Sequence, residues 1–161
     1  MKIRPLDHGD LERLSEFVSE AYRDYPLATW FESAPTAGQI ESIFYSKLRS
    51  VGSRELVDIV TEDNGTIAGE CEVAKIGFDT GVIGILVRSR YRSKNVGSDM
   101  LREAVDDAVD IGITKFTAEV DEANTDALRF FAKNGFLPIG YRNVEIGGGG
   151  RRIVILQHSV R

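Results

Sequence analysis

Val87-Arg88-Ser89-Arg90-Tyr91-Arg92-Ser93-Lys94-Asn95-Val96-Gly97-Ser98 is the stretch on which the fold turns. The apolar run from Gly81 to Val87 leads into it and reads as a strand buried on both faces. Val96, Met100, Leu101, Ala104, Val105 and Ala108 follow it at helical spacing. A strand, a loop of small residues and a helix thus meet within thirty residues. First-turn amides of a helix lack an intrahelical acceptor and carry the positive end of its dipole. An anion such as a pyrophosphate is their natural occupant. Gly97 has no Cβ to hold such a group away. Arg88, Arg90, Arg92 and Lys94 place four cations in seven positions with no acid among them. The alternative is a solvated loop before an ordinary helix. Neither the G-x-x-x-x-G-K-[ST] phosphate loop nor the G-x-G-x-x-G dinucleotide fingerprint is present.

Upstream, residues 1–6 read as a short edge strand, and Asp7 and Asp10 stand at a helix entry. Leu11, Leu14, Phe17, Val18, Ala21 and Tyr22 give that helix one apolar stripe before Pro26 stops it. A second helix begins after Pro35-Thr36 and carries Ile40, Ile43, Phe44, Leu48 and Val51. Leu56 to Val60 is a strand, Glu62-Asp63-Asn64-Gly65 a hairpin turn, and Thr66 to Lys75 its partner. Downstream, Thr114 to Val120 is a strand. Residues 124–134 form a helix with Ala127, Leu128, Phe131 and Ala132 inward, stopped at Asn134-Gly135. Phe136 to Ile146 and Arg151 to His158 make a closing hairpin around a Gly147 to Gly150 tip. The order β-α-α-β-β-β-α-β-α-β-β describes one α+β (mixed α/β) domain over residues 1–161.

The chain has 161 residues, enough for one core. At 42% hydrophobic and 28% charged it is neither disordered nor of low complexity. A formal charge of −5 argues against a general nucleic-acid or anionic-membrane surface. No run approaches a membrane span. The first residues, Met1-Lys2-Ile3-Arg4-Pro5, lack a signal peptide's apolar stretch, and one cysteine, Cys71, forms no internal disulfide. A cytoplasmic setting is the expectation. No Cys/His cluster has metal-ligand spacing, so no metal is expected.

Arg92-Ser93-Lys94-Asn95-Val96-Gly97 resembles the acetyl-CoA loop R/Q-x-x-G-x-G/A of the GNAT superfamily of N-acetyltransferases. Asn95 replaces the first Gly, and Asn is the non-glycine residue that best tolerates left-handed backbone. Asn124-x-x-Ala127-x-x-x-Phe131-x-Lys133-x-Gly135-Phe136 resembles the family's N-x-x-A-x-x-x-Y-x-K-x-G-F, one strand and one helix later. The resemblance implies a single central, mostly antiparallel sheet of six or seven strands with four helices. It also implies acetyl-CoA as cosubstrate and a primary amine as acceptor. Ile85, Leu86 and Val87 would lend backbone groups to the pantetheine arm and acetyl oxygen. Arg92, Ser93, Lys94, Asn95, Val96, Gly97 and Ser98 would cradle the pyrophosphate. Asn124, Phe130, Phe131 and Lys133 would flank the cofactor.

An amine arrives protonated, so a base helps. Glu119 leads, because Glu119-Val120 with Asn124 five residues after the Glu is similar to the protein N-terminal acetyltransferases that act on ribosomal proteins. In those relatives the matching Glu is the base; here it could instead pair with an arginine. Glu70 and Glu72 share one strand face and are the other options for base or acceptor contact, or are simply a wet face. Tyr25, Trp30 and Phe31 lie where the family's acceptor groove runs, or they pack the two N-terminal helices. The family's general acid is the Tyr of its second motif, here Phe131, leaving water, Tyr141 or Tyr91 to supply the proton. Cys71 reads as a small buried hydrophobe, and Asp121 and Glu122 as solvated acids. The rival reading is a CoA-binding sensor or pseudoenzyme, supported by Asn95 and Phe131. A monomer and a homodimer are both compatible with the pattern.

Overall fold

The computed structural model describes residues 1–26, 29, 31, 33–146 and 148–160. Its elements are β1 (Lys2–Pro5), α1 (Leu11–Asp24), α2 (Ala37–Gly52), β2 (Leu56–Asp63), β3 (Thr66–Lys75), β4 (Thr80–Val87), α3 (Val96–Val109), β5 (Lys115–Asp121), α4 (Thr125–Lys133), β6 (Leu137–Ile146) and β7 (Gly149–Ser159). Short 3-10 turns lie at His8–Asp10 and Ser89–Tyr91. The order is the one predicted, and the sheet has seven strands arranged β1-β2-β3-β4-β5-β7-β6. Every neighbouring pair is antiparallel except β4 with β5.

Local chemistry sets the boundaries. Thr36 caps α2: its hydroxyl oxygen accepts from the Gln39 amide at 3.1 Å, and the Gln39 side chain accepts from the Thr36 amide at 2.8 Å. Asn64 and Gly65 both take positive φ, which lets a two-residue turn join β2 to β3 with matching twist. Asp10 is wholly buried, and Arg4 donates two 2.8 Å bonds to it, tying the first turn to the edge strand. The closing hairpin runs further than the glycines suggest: Gly149 and Gly150 pair with Ile146 and Glu145. Ladder bonds use backbone alone, so glycine does not end them.

Alternation divides the sheet into two unlike faces. Val57, Ile59, Cys71, Val73, Ile83, Phe116, Ala118, Val120, Val154 and Leu156 form one core with Met100, Leu101 and Ala104 of α3 and Phe131 of α4. The opposite face carries a smaller apolar cluster, in which Val60 and Ile67 meet Phe17 of α1 and Phe44 of α2. Ile43 and Ala132, expected inside, are exposed, because each lies at the margin of its helix's apolar stripe.

Candidate functional site: a cleft at the parting of two strands

The parallel ladder joins Thr80 to Lys115 and ends at Ile83 with Ala118. Beyond those residues β4 and β5 have no mutual pairing, so the strand ends diverge. Burial records this divergence. Residues 84–87 are only half-buried, against the expectation of a strand covered on both faces. The missing cover is the missing neighbour strand.

A cleft of about 640 Å³ opens at the parting. Ile85, Leu86 and Val87 form one wall, Arg92, Ser93, Asn95, Val96, Gly97 and Ser98 the floor, and Asn124, Phe130, Phe131 and Lys133 the other wall. Thirteen of the fourteen residues predicted to touch the cofactor therefore line one cavity; Lys94 does not. Tyr91, Asp126, Ala127 and Arg129 line it as well.

The loop before α3 is built for backbone donation. Ser93 and Asn95 both have φ of 62°, and the first α3 hydrogen bond closes only at the Asp99 amide to the Asn95 carbonyl. The amides of Val96, Gly97 and Ser98 precede it, at the cleft floor. Asn95 thus adopts the left-handed conformation its substitution for Gly requires. A Cβ on Gly97 would sit 3.0 Å from the Phe130 ring and 3.6 Å from Val87, so this glycine also lets α4 close over α3. That donor set fits a pyrophosphate.

The four cations of the loop do not act together, which corrects the expectation of a basic pocket. Arg88 turns away to Glu20 at 3.1 Å and lies over the Phe17 ring. Arg90 and Lys94 stand over the Tyr91 ring. Arg92 alone reaches the cleft, its Nε donating to the Val87 carbonyl at 3.3 Å and its guanidinium 3.8 Å above the Tyr25 ring. Alternating charges on a turning backbone point in different directions, so the four divide among three partners, Glu20, Tyr91 and Tyr25.

Glu119 lies on the face that carries α1 and α2, one residue beyond the last position of β5 that pairs with β4. It accepts a 2.6 Å hydrogen bond from Arg142 of β6. The arginine pairing considered from sequence is thus present, and the side chain stands beside the parting. Tyr141, next to Arg142, points to the opposite face, where Arg152 stacks on it at 4.2 Å. The Tyr91 hydroxyl donates to Asp63 at 2.6 Å. The Tyr91 hydroxyl is therefore engaged with Asp63, and Tyr141 is not among the residues that line the cleft. Phe131 is buried, edge-on to both Phe130 and Phe136. Asp121 is buried rather than solvated, and it accepts from Arg151 and from the Ala123 amide.

Glu70 and Glu72 are not a plain wet face. Lys47 of α2 reaches Glu70 at 2.9 Å, Glu72 at 3.1 Å and Asp58 at 3.5 Å. Burial would drive the proton off Lys47, but Glu70, Glu72 and Asp58 together raise its pKa above the usual lysine range. Burial, reinforced by Glu70, pushes the Asp58 carboxyl well above the ordinary aspartate range. Burial likewise raises the Cys71 thiol, which keeps it protonated and inert. Lys47 and Asp58 went unrecognised in the sequence, although both break a pattern. Lys47 continues the inward spacing of Ile40 and Phe44, and Asp58 interrupts an apolar strand. Of the expected acceptor residues, Tyr25 is stacked on Arg92, Phe31 is half-buried, and Trp30 lies outside the described residues.

Comparison with known proteins adds to this geometry. Residues 15–136 match the family described as acetyltransferase (GNAT) family. A candidate ribosomal protein bS18-alanine N-acetyltransferase of Bacillus subtilis (strain 168) is 26% identical over 98 residues, 61% of this chain and 65% of that protein. The matched part thus spans just under two thirds of that relative. The crystal structure of a ribosomal-protein-alanine N-acetyltransferase from Brucella melitensis superposes with a TM-score of 0.84 at 18% identity, over 99% of this chain and 100% of that one. A phosphinothricin acetyltransferase from Sinorhizobium meliloti, crystallised with acetyl-CoA, gives 0.81 at 17% identity over 99% and 88%. At those identities the two structures establish a shared fold. Among the described residues no helix is long and apolar enough to cross a membrane.

Proposed function

The chain belongs to the acetyltransferase (GNAT) family, and from that premise we propose that residues 1–161 form one N-acetyltransferase domain. It moves the acetyl group of acetyl-CoA to a primary amine by direct attack, with both substrates bound at once. The observation that carries this reading is the parting of β4 from β5 beyond Ile83 and Ala118, directly above the amino end of α3.

Acetyl-CoA supplies a thioester whose carbonyl carbon accepts the amine and whose sulfur departs as thiolate. Arg92 and the amides from Ser93 to Ser98 would hold its pyrophosphate, where helix dipole and free donors coincide. The unpaired edge of β4 from Ile85 to Val87 would offer amides to the pantetheine arm and to the charge that grows on the acetyl oxygen. Asn124, Phe130, Phe131 and Lys133 would close the other side. The amine enters from the face of α1 and α2, past Tyr25 and Phe31. There Glu119 accepts its proton, directly or through water, as the incoming ammonium takes over part of the Arg142 contact. Phe131 supplies no proton, so the sulfur leaves as a thiolate, a tolerable leaving group if its pKa is near the thiol reference of about 8.5.

Sequence and structural relatives that act on ribosomal-protein alanine favour a peptide amino terminus as acceptor. Calorimetric titration with acetyl-CoA, with ATP as comparison, tests the cofactor assignment. Wild type should bind acetyl-CoA well and ATP far more weakly. Gly97→Trp, which must displace Phe130 into the cleft, should weaken binding about 100-fold, equivalent to about 2.8 kcal/mol. Unchanged affinity in that variant would overturn the loop assignment. Glu119→Gln should retain acetyl-CoA affinity and lose roughly 10²–10⁴-fold in transfer, as expected for removal of a general base. Tight cofactor binding with no transfer to any amine by the wild type would instead favour the sensor reading.

A further inference from the structure

Beneath α2, three carboxylates share one cation. The oxygens of Asp58, Glu70 and Glu72 lie within 4.8 Å of one another, and Lys47 is the ammonium between them. Asp58 is 3% exposed, and neither of its carboxylate oxygens has a hydrogen-bond donor. Its nearest positive charge, Lys47 at 3.5 Å, is already shared with two glutamates. A buried acid aimed into a cluster that is short of positive charge marks room for another cation or a proton.

Two features connect the cluster to solvent and to the reaction. A groove of about 500 Å³ runs between α2 and the sheet, lined by Ser42, Ser46, Lys47 and Ser50 on the helix and by Leu56 and Glu72 on the strands. Lys75 also borders it but donates to the Ile111 carbonyl. Glu72 binds Lys47 through Oε2, while Oε1 leans over Gly84, 3.3 Å from where a Cβ would be. Gly84 is the first residue of β4 beyond its pairing with β5. Any side chain there would push the Glu72 carboxylate away from the parting. Glu72 pairs with Gly84, so it stands one strand from the parting and two from Glu119. At about 4.8 Å per paired strand the parting begins about 5 Å from Glu72, and Glu119, across the parting, lies at least about 10 Å away.

We infer that Glu72, backed by Asp58 and Glu70, is a second-cation subsite: the acceptor carries another ammonium or guanidinium roughly 5–10 Å from the amine that is acetylated. The inference rests on the acetyltransferase reading for the identity of that amine, but its binding test does not. A linear diamine and a peptide with a basic side chain beside its amino terminus offer the same chemistry.

The test titrates two matched pairs into wild type and Glu72→Gln in the presence of CoA, which permits no turnover. One pair is 1,4-diaminobutane against n-butylamine. The other is an alanyl-lysyl peptide against its alanyl-norleucyl analogue. The dicationic member of at least one pair should bind wild type about tenfold more tightly, and Glu72→Gln should remove most of that preference. The pair that shows the preference identifies the source of the second cation. No preference in either pair overturns the inference, as does a preference that survives in Glu72→Gln; a proton on Asp58 would then be what balances the cluster. Failure of the acetyltransferase reading looks different, since acetyl-CoA would neither bind nor be consumed.

Discussion

The two faces of the same sheet are built on opposite principles. On the α3 and α4 face, among the described residues, twenty buried apolar side chains form one continuous core. On the α1 and α2 face six do, and beside them stand three groups of charges: Asp10 with Arg4, Asp58, Glu70 and Glu72 with Lys47, and Glu119 with Arg142. The first face can be dry because the proposed cofactor meets it only at its rim, where the amides at the start of α3 and the side chains of Phe130, Phe131 and Lys133 line the cleft. The second must stay polar if a cationic amine is to approach. Most of the apolar burial thus lies on one side of the layer, and the charges to which we ascribe acceptor binding lie on the other.

The largest stability effect should come from the dry face. Met100 is fully buried in the centre of that core, and Met100→Ala should cost about 2–5 kcal/mol, read from urea unfolding. A smaller loss would mean that the face is loosely packed and that the contrast is weaker than described.

On the charged face, Asp10→Asn should cost about 3 kcal/mol at neutral pH, because Arg4 is left with a poorer partner in a buried setting. The effect depends on pH in a definite sense. Burial pushes the Asp10 carboxyl up, but the hydrogen bonds from Arg4, the Asp7 amide and Arg13, together with the Arg4 charge, outweigh it and hold the group below its ordinary 3.8. Its contribution is therefore complete above that value and is lost as pH falls through the depressed one. Unfolding midpoints of wild type and variant should converge as the solution is acidified, and a constant difference would refute the ion-pair account.

The smallest effect belongs to the loop between the faces. Ser93 has a positive φ without being Gly or Asn, and Ser93→Gly should stabilise by up to about 1 kcal/mol, visible as a small rise in melting temperature. A destabilisation would show that the serine side chain compensates for its backbone.

The legible parts were those governed by neighbours in the chain. Spacing places α3 and local composition the Asn64-Gly65 turn, while nine of the thirteen expected cleft residues fall within two short motifs and the other four, Ile85, Leu86, Val87 and Ser98, follow from the family resemblance those motifs carry. The four cations from Arg88 to Lys94 show the limit of that reading. Their sequence suggests a pocket, while their partners, Glu20, Tyr25 and Tyr91, come from α1, its end and the loop itself. Glu119 shows it again, since Arg142 lies 23 positions away on a strand that reaches β5 only through β7.

Sequence by itself determined the order of elements, the left-handed corner at Asn95 and the family, because turns, caps and periodicity are short-range and each residue carries its own preference. Tertiary structure alone decided where β4 and β5 part, that Lys47 stands among Asp58, Glu70 and Glu72, and which cation faces the cleft. Those outcomes depend on strand register and on helices laid across it, and register is fixed by the summed burial of a whole face rather than by any one stretch of chain.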